Sequence, residues 1–281
     1  MIAPLPDLLI DHTVRAALAE DLGRAGDVTA SALLPAGKRL SCVFAARADG
    51  RVAGIDCARL AIAALDPNAR FEVVTPDGSD VAAGGSIARV EGDARAILSA
   101  ERVALNFLGR LTGVASLTRA YVHAVQGTGV KIVCTRKTTP GLRALEKYAV
   151  RCGGGTNHRF GLDDAILIKD NHVAACGGIG LALERARAGV GHLMKIEIEV
   201  DSLEQLDEAL PFAPDMIMLD NFTLIALMEA VRRVAGKIPL EASGGVNLTT
   251  VRAIAETGVD AISVGALTHS APVLDIGLDA A

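Results

Sequence analysis

The chain contains no tryptophan, and aromatic residues make up only 3% of its 281 residues. Its hydrophobic fraction is nevertheless 51%, so a core must be built mainly from alanine, valine, isoleucine and leucine. Side chains of this kind suit buried parallel strands that are covered by alanine-rich helices. The length favours one large α/β domain with a smaller companion domain.

The five cysteines include no Cys-x-x-Cys pair, which argues against both a disulfide framework and a structural zinc site. We therefore expect a reducing, cytoplasmic environment. The first lysine or arginine is Arg15, so the N-terminal segment lacks the basic region of a signal peptide. No run approaches about 20 consecutive apolar residues, so no membrane span is expected.

Positive charge is in the minority, since the formal net charge is −5 at pH 7, and this balance argues against a nucleic-acid-binding protein. The scarcity of aromatic residues to stack on bases supports the same exclusion. Residues 131–172 are an exception, with eight lysine or arginine residues against four acidic ones, a local charge of +4. Like charges ~4 Å apart repel by about 4 kcal/mol at an intermediate dielectric, so a multiply charged anion is the simplest ligand for this segment.

The first third of the chain has the pattern of a mixed α/β domain. Thr13 is predicted to cap a helix that ends near Gly23. The segment Ala94–Val125 is predicted to be helical, with breaks near Gly109 and Gly113. Between them, strands are predicted at Leu40–Ala46, Arg51–Ile55 and Phe71–Val74, and a helix at Ala58–Leu65.

From Lys131 onwards, strand-like and helix-like segments alternate. The predicted strands are Lys131–Thr135, Ala165–Ile168, Met194–Val200, Met216–Leu219, Leu240–Ala242 and Ala261–Val264. Predicted helices include Leu203–Leu210, Leu224–Val234 and Leu248–Glu256, the last capped by Asn247. Such alternation predicts a parallel sheet, either closed into a barrel or open and doubly wound. Each strand is followed by polar or glycine residues, which favours the barrel because barrel enzymes gather their chemistry on that rim.

Two glycine turns follow the last two predicted strands. Ser243-Gly244-Gly245 precedes a predicted helix, so its backbone N–H groups and the helix end would face an anion. Gly265-Ala266 follows the next strand, and this paired placement is typical of the phosphate site of barrel enzymes. His269 is a candidate additional donor, although a histidine there would equally suit a helix end.

Two carboxylates, Glu199 and Asp220, end neighbouring predicted strands and should lie side by side. Carboxylates in this position can hold Mg²⁺ or stabilise a sugar carbocation. The alternative is that they are ordinary strand-end residues. Glu197 shares the face of Glu199 by alternation and is a candidate partner in a buried ion pair.

Several cationic side chains flank two of the strands, and arginine in particular offers donors matched to carboxylate and phosphate groups. These candidates are Arg136, Lys137, His158, Arg159 and Lys169. Arg143, Lys147 and Arg151 are spaced like an exposed helix face, so we interpret them as solvated.

Several longer segments together resemble the quinolinate phosphoribosyltransferase family. They are Thr135–Arg143, Glu146–Val150, Gly153–Gly155, Asn157–Arg159, Leu167–His172, Leu219–Asn221, Leu240–Gly245 and Ile262–Ser270. The resemblance spans essentially the whole chain. It implies an N-terminal α/β sandwich domain, residues 1–112 joined by 271–281, beside an incomplete parallel α/β barrel, residues 113–270. It also implies a homodimer in which Arg102 completes the partner's site.

The resemblance further implies roles for individual residues. Arg136, His158, Arg159 and the Arg102 that crosses between subunits would hold the two carboxylates of quinolinate, in a substrate site that also includes Thr135. Lys137, Lys169, Glu199 and Asp220 would be catalytic, the two carboxylates facing the ribose and Mg²⁺. The phosphate would be held by Ser243, Gly244, Gly245, Val264, Gly265, Ala266 and His269.

The implied reaction joins the quinolinate nitrogen to the anomeric carbon of phosphoribosyl pyrophosphate and releases pyrophosphate. Loss of CO₂ then gives nicotinate mononucleotide, an intermediate of NAD biosynthesis. Two alternatives are a related phosphoribosyltransferase that acts on another acid and a non-catalytic phosphate-binding protein with the same fold.

Overall fold

The computed structural model describes residues 2–281 and divides into two compact units. One unit extends to Arg119 and also includes Thr138–Gly154 and Leu267–Ala281, whereas the other comprises Ala120–Lys137 and Gly155–Ala266. The domain boundaries predicted from the sequence differ from this division, because they place residues 138–154 with the barrel. Those boundaries remain a prediction.

The first unit contains an antiparallel sheet with helices. Its elements are α1 Asp7–Leu22, α2 Val28–Leu33, β1 Arg39–Ala46, β2 Gly50–Arg51, α3 Ile55–Leu65, β3 Arg70–Val73, β4 Asp80–Val81, β5 Ser86–Asp93, most of α4 Ala94–Ala124, α5 Arg143–Cys152 and β12 Ile276–Ala280. The main sheet has the order β12-β1-β5-β3, and β2 pairs with β4. Phe44 of β1 is fully buried, and its ring centroid lies 5.9 Å from that of Phe71.

Helix α1 begins six residues before Thr13, so the prediction that Thr13 caps it is wrong. Pro6 precedes the first turn, where its missing N–H costs no helical hydrogen bond. Ile10, Val14 and Leu18 are buried at a spacing of four residues, so the apolar stripe starts a turn earlier than predicted. The predicted end of the helix is confirmed, with Gly23 in a left-handed conformation at φ 54°.

Helix α4 is continuous over 31 residues, so the predicted breaks at Gly109 and Gly113 are wrong. The two glycines lie on one face because they are four residues apart. A Cβ at Gly109 would lie 2.8 Å from the carbonyl oxygen of Leu274, and one at Gly113 would collide with the carbonyl oxygen of Pro272. These glycines therefore allow the C-terminal segment to pack closely against the helix, rather than ending it.

The prediction of a solvated cationic face on α5 is wrong for Lys147, which is 2% exposed. Its neighbour Glu146 is completely buried and accepts hydrogen bonds from Arg110 (Nη2 to Oε1, 2.7 Å) and from the backbone N–H of Thr139 (3.0 Å). The buried charge is thus paired and hydrogen-bonded, as burial of an ion requires.

The second unit is built on a parallel sheet of six strands, which is the incomplete α/β barrel. Its strands are β6 Lys131–Val133, β7 Ile166–Ile168, β8 Ile196–Val200, β9 Met216–Asp220, β10 Leu240–Ser243 and β11 Ala261–Ser263. Its helices are α6 Asp170–Cys176, α7 Ile179–Ala188, α8 Leu203–Ala209, α9 Leu224–Val234, α10 Val251–Ala255 and the start of α11 Ala266–His269, with a 3-10 turn at Leu210–Phe212. The order β6-β11-β10-β9-β8-β7 leaves β6 and β7, which follow one another along the chain, as the outer strands.

All six predicted strands of this unit are confirmed, with ends that shift by one or two residues. The central strands carry buried apolar side chains, for example Ile198, Ile217 and Leu219. The predicted capping role of Asn247 is wrong, because α10 begins only after Thr250. The Asn247 side chain instead accepts from the backbone N–H groups of Thr249 (2.9 Å) and Thr250 (3.1 Å), which forms a turn before the helix. Over the described residues, no helix is both long and apolar enough to cross a membrane.

Candidate active site

A cavity of about 610 Å³ lies in the second unit, where the parallel strands end. Eleven of its lining residues are predicted site residues: Thr135, Arg136, Lys137, His158, Arg159, Lys169, Glu199, Asp220, Ser243, Gly244 and Gly245. The other five are Leu167, Met218, Asn221, Glu241 and Ser263. The lining thus draws on all six strands, because parallel strands deliver their carboxyl ends to the same edge.

The remaining predicted residues are placed differently. Val264, Gly265 and Ala266 follow the cavity-lining Ser263 directly along the chain. Arg102 and His269 belong to the first unit. Arg102 is exposed on α4, and Nδ1 of His269 lies 2.6 Å from the Ser270 hydroxyl.

Lys169, Glu199 and Asp220 form what we call the rim group. The Lys169 Nζ lies 2.5 Å from Oε2 of Glu199, and the lysine side chain is 46% exposed. Asp220 ends β9 beside Ser243 of β10, and its Oδ2 accepts from the side-chain amide of Asn221 at 2.7 Å. The rim group therefore offers two carboxylates and one ammonium group to a ligand in the cavity.

His158, Glu197 and Glu241 form a second cluster, the floor group. Glu197 lies two residues before Glu199 on β8, so both side chains point to the same face of the sheet. The Nε2 atom of His158 lies 2.9 Å from Oε2 of Glu197 and 3.8 Å from Oε1 of Glu241. Glu241 is only 1% exposed, and Glu197 is 8% exposed. The prediction of Glu197 as a buried ionic partner is consistent with this arrangement.

The backbone fixes the tautomer of His158. The N–H of Arg159 donates to Nδ1 of His158 at 2.8 Å, so Nδ1 carries a lone pair and not a proton. The ring proton then resides on Nε2, which donates to Glu197. Both ring nitrogens of His158 therefore have protein partners. A direct hydrogen bond from His158 to a substrate carboxylate remains a prediction, and it would require the ring to give up one of these contacts.

The floor group has the composition of a metal site, since its three ligand atoms lie within 4.8 Å of one another. A protonated Nε2 cannot coordinate a cation, however, so the tautomer argues against a metal. A carboxyl group of Glu241 that keeps its proton to a higher pH than usual is consistent with the cluster. Burial and, secondarily, the charge of Glu197 raise the pKa of Glu241 to about 7, while His158 and the Ser263 hydroxyl act in the opposite direction.

The cations of the cavity repel one another. Burial lowers the pKa of Arg159, and the charge of Arg136 lowers it further, whereas Asp164 and Glu197 act in the opposite direction. Arg159 also donates from Nη1 to the carbonyl oxygen of Ala165 at 3.1 Å, which fixes the direction of its side chain. Arginine keeps its charge despite such shifts, so an anion in the cavity would relieve the repulsion.

The glycine turn after β10 requires its glycines. Gly244 and Gly245 have φ values of 95° and 60°, in the left-handed region that other residues rarely adopt. A side chain at Gly244 would also collide with Oδ1 of Asn221. Successive backbone N–H groups in such a turn form a concave surface suited to phosphate.

Of the five lining residues outside the predicted site residues, two carried a signal in the sequence. Glu241 is a charged residue within an apolar predicted strand, and Asn221 follows a predicted strand end directly. The other three, Leu167, Met218 and Ser263, are buried and are of residue types common in strands. Nothing in the sequence distinguishes them from core residues.

The fold and the cavity together define an α/β-barrel protein whose rim carries arginines, lysines and a glycine turn, a lining suited to an anionic, phosphate-bearing small molecule. Two family profiles match the chain, "Quinolinate phosphoribosyl transferase, N-terminal domain" over residues 27–112 and "Quinolinate phosphoribosyl transferase, C-terminal domain" over residues 114–279. The chain belongs to the quinolinate phosphoribosyltransferase family.

Individual relatives agree with the profiles. The nicotinate-nucleotide pyrophosphorylase [carboxylating] of Mycobacterium leprae is 47% identical over 272 residues, which cover 95% of each chain. A Bacillus subtilis protein described as a probable nicotinate-nucleotide pyrophosphorylase [carboxylating] is 44% identical, over 92% of this chain and 89% of the relative. The solved nicotinate-nucleotide pyrophosphorylase of Francisella tularensis matches with a TM-score of 0.94 and 38% identity, over 100% of this chain and 99% of the other.

Proposed function

We propose that the chain transfers the phosphoribosyl group of phosphoribosyl pyrophosphate to the ring nitrogen of quinolinate. The products are nicotinate mononucleotide, pyrophosphate and CO₂, in the de novo synthesis of NAD. Relatives named quinolinate phosphoribosyltransferase [decarboxylating] are 40–41% identical and support this activity. The observation that carries the proposal is that one cavity collects Arg136, Arg159 and the rim group around a glycine turn.

Quinolinate carries two carboxylates and would lie against the arginines. Arg136 and Arg159 line the same cavity, and the mutual repulsion of their charges falls when an anion lies between them. Thr135 and Lys137 adjoin them, and the Thr135 hydroxyl accepts from the backbone N–H of Lys137 at 3.0 Å, which holds the chain in a turn. This turn would keep Arg136 and Lys137 at the edge of the sheet.

Magnesium is the expected cofactor, and the chemistry of the rim carboxylates fits it. Mg²⁺ prefers oxygen ligands and is usually held by one or two carboxylates together with substrate phosphates. Glu199 and Asp220 supply such oxygens from neighbouring strands. When bound, the ion would offset the negative charge of the departing pyrophosphate.

The rim group would act while the bond to pyrophosphate breaks, and the ring nitrogen would drive the loss of CO₂. As the bond to pyrophosphate breaks, positive charge develops at the anomeric carbon, and Glu199 and Asp220 would stabilise it electrostatically. Lys169, held by Glu199 at 2.5 Å, would orient the negatively charged reactants. After the nitrogen–carbon bond forms, the ring nitrogen is cationic and stabilises the electron pair left at C2 when CO₂ departs; that carbon then takes up a proton.

The phosphate of the sugar would bind at the glycine turns. Ser243, Gly244 and Gly245 line the cavity, and Val264, Gly265 and Ala266 follow the adjacent strand β11. His269 would add a donor from α11.

The chain would act as a homodimer in which Arg102 completes the partner's site. Exposure of Arg102 on α4 supports this assignment, because an arginine that serves another subunit must be accessible. A mixture of Arg102→Ala and Glu199→Ala chains tests it. Each variant alone should be nearly inactive, whereas mixed dimers contain one intact site and should recover activity. Failure of the mixture to recover activity would contradict a shared site.

A cytoplasmic location is proposed on the basis of the cysteines. The support is their number and spacing, which suit free thiols in a reducing compartment; four of the five are buried.

An assay of the purified protein with quinolinate, phosphoribosyl pyrophosphate and Mg²⁺ tests the reaction. We expect nicotinate mononucleotide and CO₂ to form in equal amounts. A panel of other aromatic acids separates this activity from that of a related transferase, because preference for another acid would overturn the assignment. If no pyrophosphate is released at saturating substrate concentrations, the result would instead favour a non-catalytic binding protein.

A further inference from the structure

Asn221 has a left-handed backbone conformation although it does not end a helix. Its φ is 57°, in the left-handed region, and the only other non-glycine residues with positive φ among those described are Ala213 and Ala235. Those two cap the C-terminal ends of the 3-10 turn and of α9, where such a conformation is common. Asn221 instead follows a strand and lines the cavity. Strained backbone of this kind persists where surrounding contacts enforce it.

Three contacts of Asn221 enforce the conformation. Its backbone N–H donates to the carbonyl oxygen of Ser243 at 2.9 Å. Its side-chain amide donates from Nδ2 to Oδ2 of Asp220 at 2.7 Å. Its Oδ1 occupies the space beside Gly244 that the Cβ of any other residue would need. One residue therefore connects the carboxylate at the end of β9 with the glycine turn after β10.

We infer that Asn221 is a positioning residue: it orients the Asp220 carboxylate and fixes its distance from the phosphate turn at Ser243–Gly245. The inference rests on the proposed function, in which Asp220 faces the ribose and the turn faces the phosphate of the same molecule. Asparagine suits this position because it tolerates the left-handed conformation and its amide can donate to a carboxylate. Aspartate would tolerate the conformation but would place a second negative charge beside Asp220, and glycine would leave the carboxylate without its donor.

The variant Asn221→Gly removes the side-chain amide and the strain of a positive φ at a non-glycine residue. Ala235→Gly is the matched control, because it removes the same kind of strain at a residue outside the cavity. We expect Asn221→Gly to raise the KM for phosphoribosyl pyrophosphate about tenfold, the usual effect of losing one hydrogen bond to a charged group. The KM for quinolinate should stay unchanged, and the Ala235→Gly control should change neither value. An equal change in both KM values, or no change, would overturn the inference.

A double-mutant cycle with Asp220→Ala shows whether Asn221 acts through Asp220. In the Asp220→Ala background, Asn221→Gly should have no further effect on binding of phosphoribosyl pyrophosphate, measured by calorimetry with Mg²⁺. Full additivity would contradict the positioning role. Asn221→Asp repeats the test with the left-handed conformation retained, so that poor folding of one variant does not decide the outcome.

Crystal structures of the wild type and of Asn221→Gly give a readout that does not depend on the reaction. The Asp220 carboxylate should rotate away from its wild-type direction in the variant, and an unchanged Asp220 would overturn the inference. If the wild type fails to bind phosphoribosyl pyrophosphate, the proposed function is wrong, and the direction of Asp220 still decides the role of Asn221.

Discussion

The rim group and the floor group contain similar residues but differ in environment. Glu199 of the rim and Glu197 of the floor are two residues apart on β8 and point to the same face. Glu199 pairs with the partly exposed Lys169, whereas Oε2 of Glu197 lies 2.9 Å from Nε2 of His158, close to the buried Glu241. At the rim, the counter-charge of a carboxylate is an ammonium group, and at the floor the cluster holds a proton.

Position along a strand, and not residue type, therefore sets the environment of a carboxylate in this cavity. The ammonium group of Lys169, whose side chain is partly exposed, screens the charge of Glu199 at the rim. At the floor, a second ionised carboxylate would be costly, and burial raises the pKa of Glu241. We therefore expect variants of the rim to change catalysis and variants of the floor to change stability and its pH dependence.

The largest expected effect is that of Glu199→Ala at the rim. Loss of this carboxylate removes stabilisation of the anomeric cation and releases Lys169, so kcat should fall about 100- to 1000-fold. Steady-state kinetics measure this, and the melting temperature should change little. Glu184→Ala removes an exposed glutamate of α7 and serves as the control. A normal kcat for Glu199→Ala would contradict the expectation that variants of the rim group change catalysis.

An effect of intermediate size is expected for Glu241→Gln at the floor. In the folded protein the pKa of Glu241, about 7, lies above its ordinary value of 4.5, so the folded state binds the proton more tightly. The resulting stabilisation is complete below pH 4.5 and is lost as the pH rises through 7, a change of about 3 kcal/mol. Glutamine does not titrate, so the free energy of unfolding of the variant should lack this decline.

Urea unfolding at several values of pH between 4 and 8 measures the difference. The groups that face Glu241 are Glu197 and His158, and both remain in the variant. Glu204→Gln, which changes an exposed glutamate of α8, should follow the wild-type curve. Parallel curves for the wild type and Glu241→Gln would contradict a raised pKa of Glu241 in the folded protein.

A smaller effect is expected for Arg159→Ala, which sharpens the assignment of the carboxylate-binding side. Loss of charge-assisted hydrogen bonds should raise the KM for quinolinate about 10- to 100-fold, with the KM for phosphoribosyl pyrophosphate less affected. Arg187 also donates to a loop carbonyl, that of Ala213 at 2.9 Å, but lies outside the cavity lining, so Arg187→Ala is the control. Equal effects of the two substitutions would indicate a structural role for Arg159.

The sequence predicted the strands of the barrel and most of the rim, because parallel strands place their ends together whatever their neighbours are. It predicted Glu197 as a buried ionic partner and His158 as a site residue, but not their contact with Glu241, because that contact joins segments far apart in sequence. The role of the glycines in α4 was missed for a similar reason. Local propensity treats Gly109 as a helix breaker, whereas its function is set by the carbonyl of Leu274 packed against it.

A crystal structure with quinolinate bound tests the central claim most directly. We expect the ring to lie in the cavity of the second unit, with its carboxylates against Arg136 and Arg159 and its nitrogen facing the rim group. Quinolinate bound elsewhere, or bound in the cavity with its carboxylates turned away from both arginines, would contradict it.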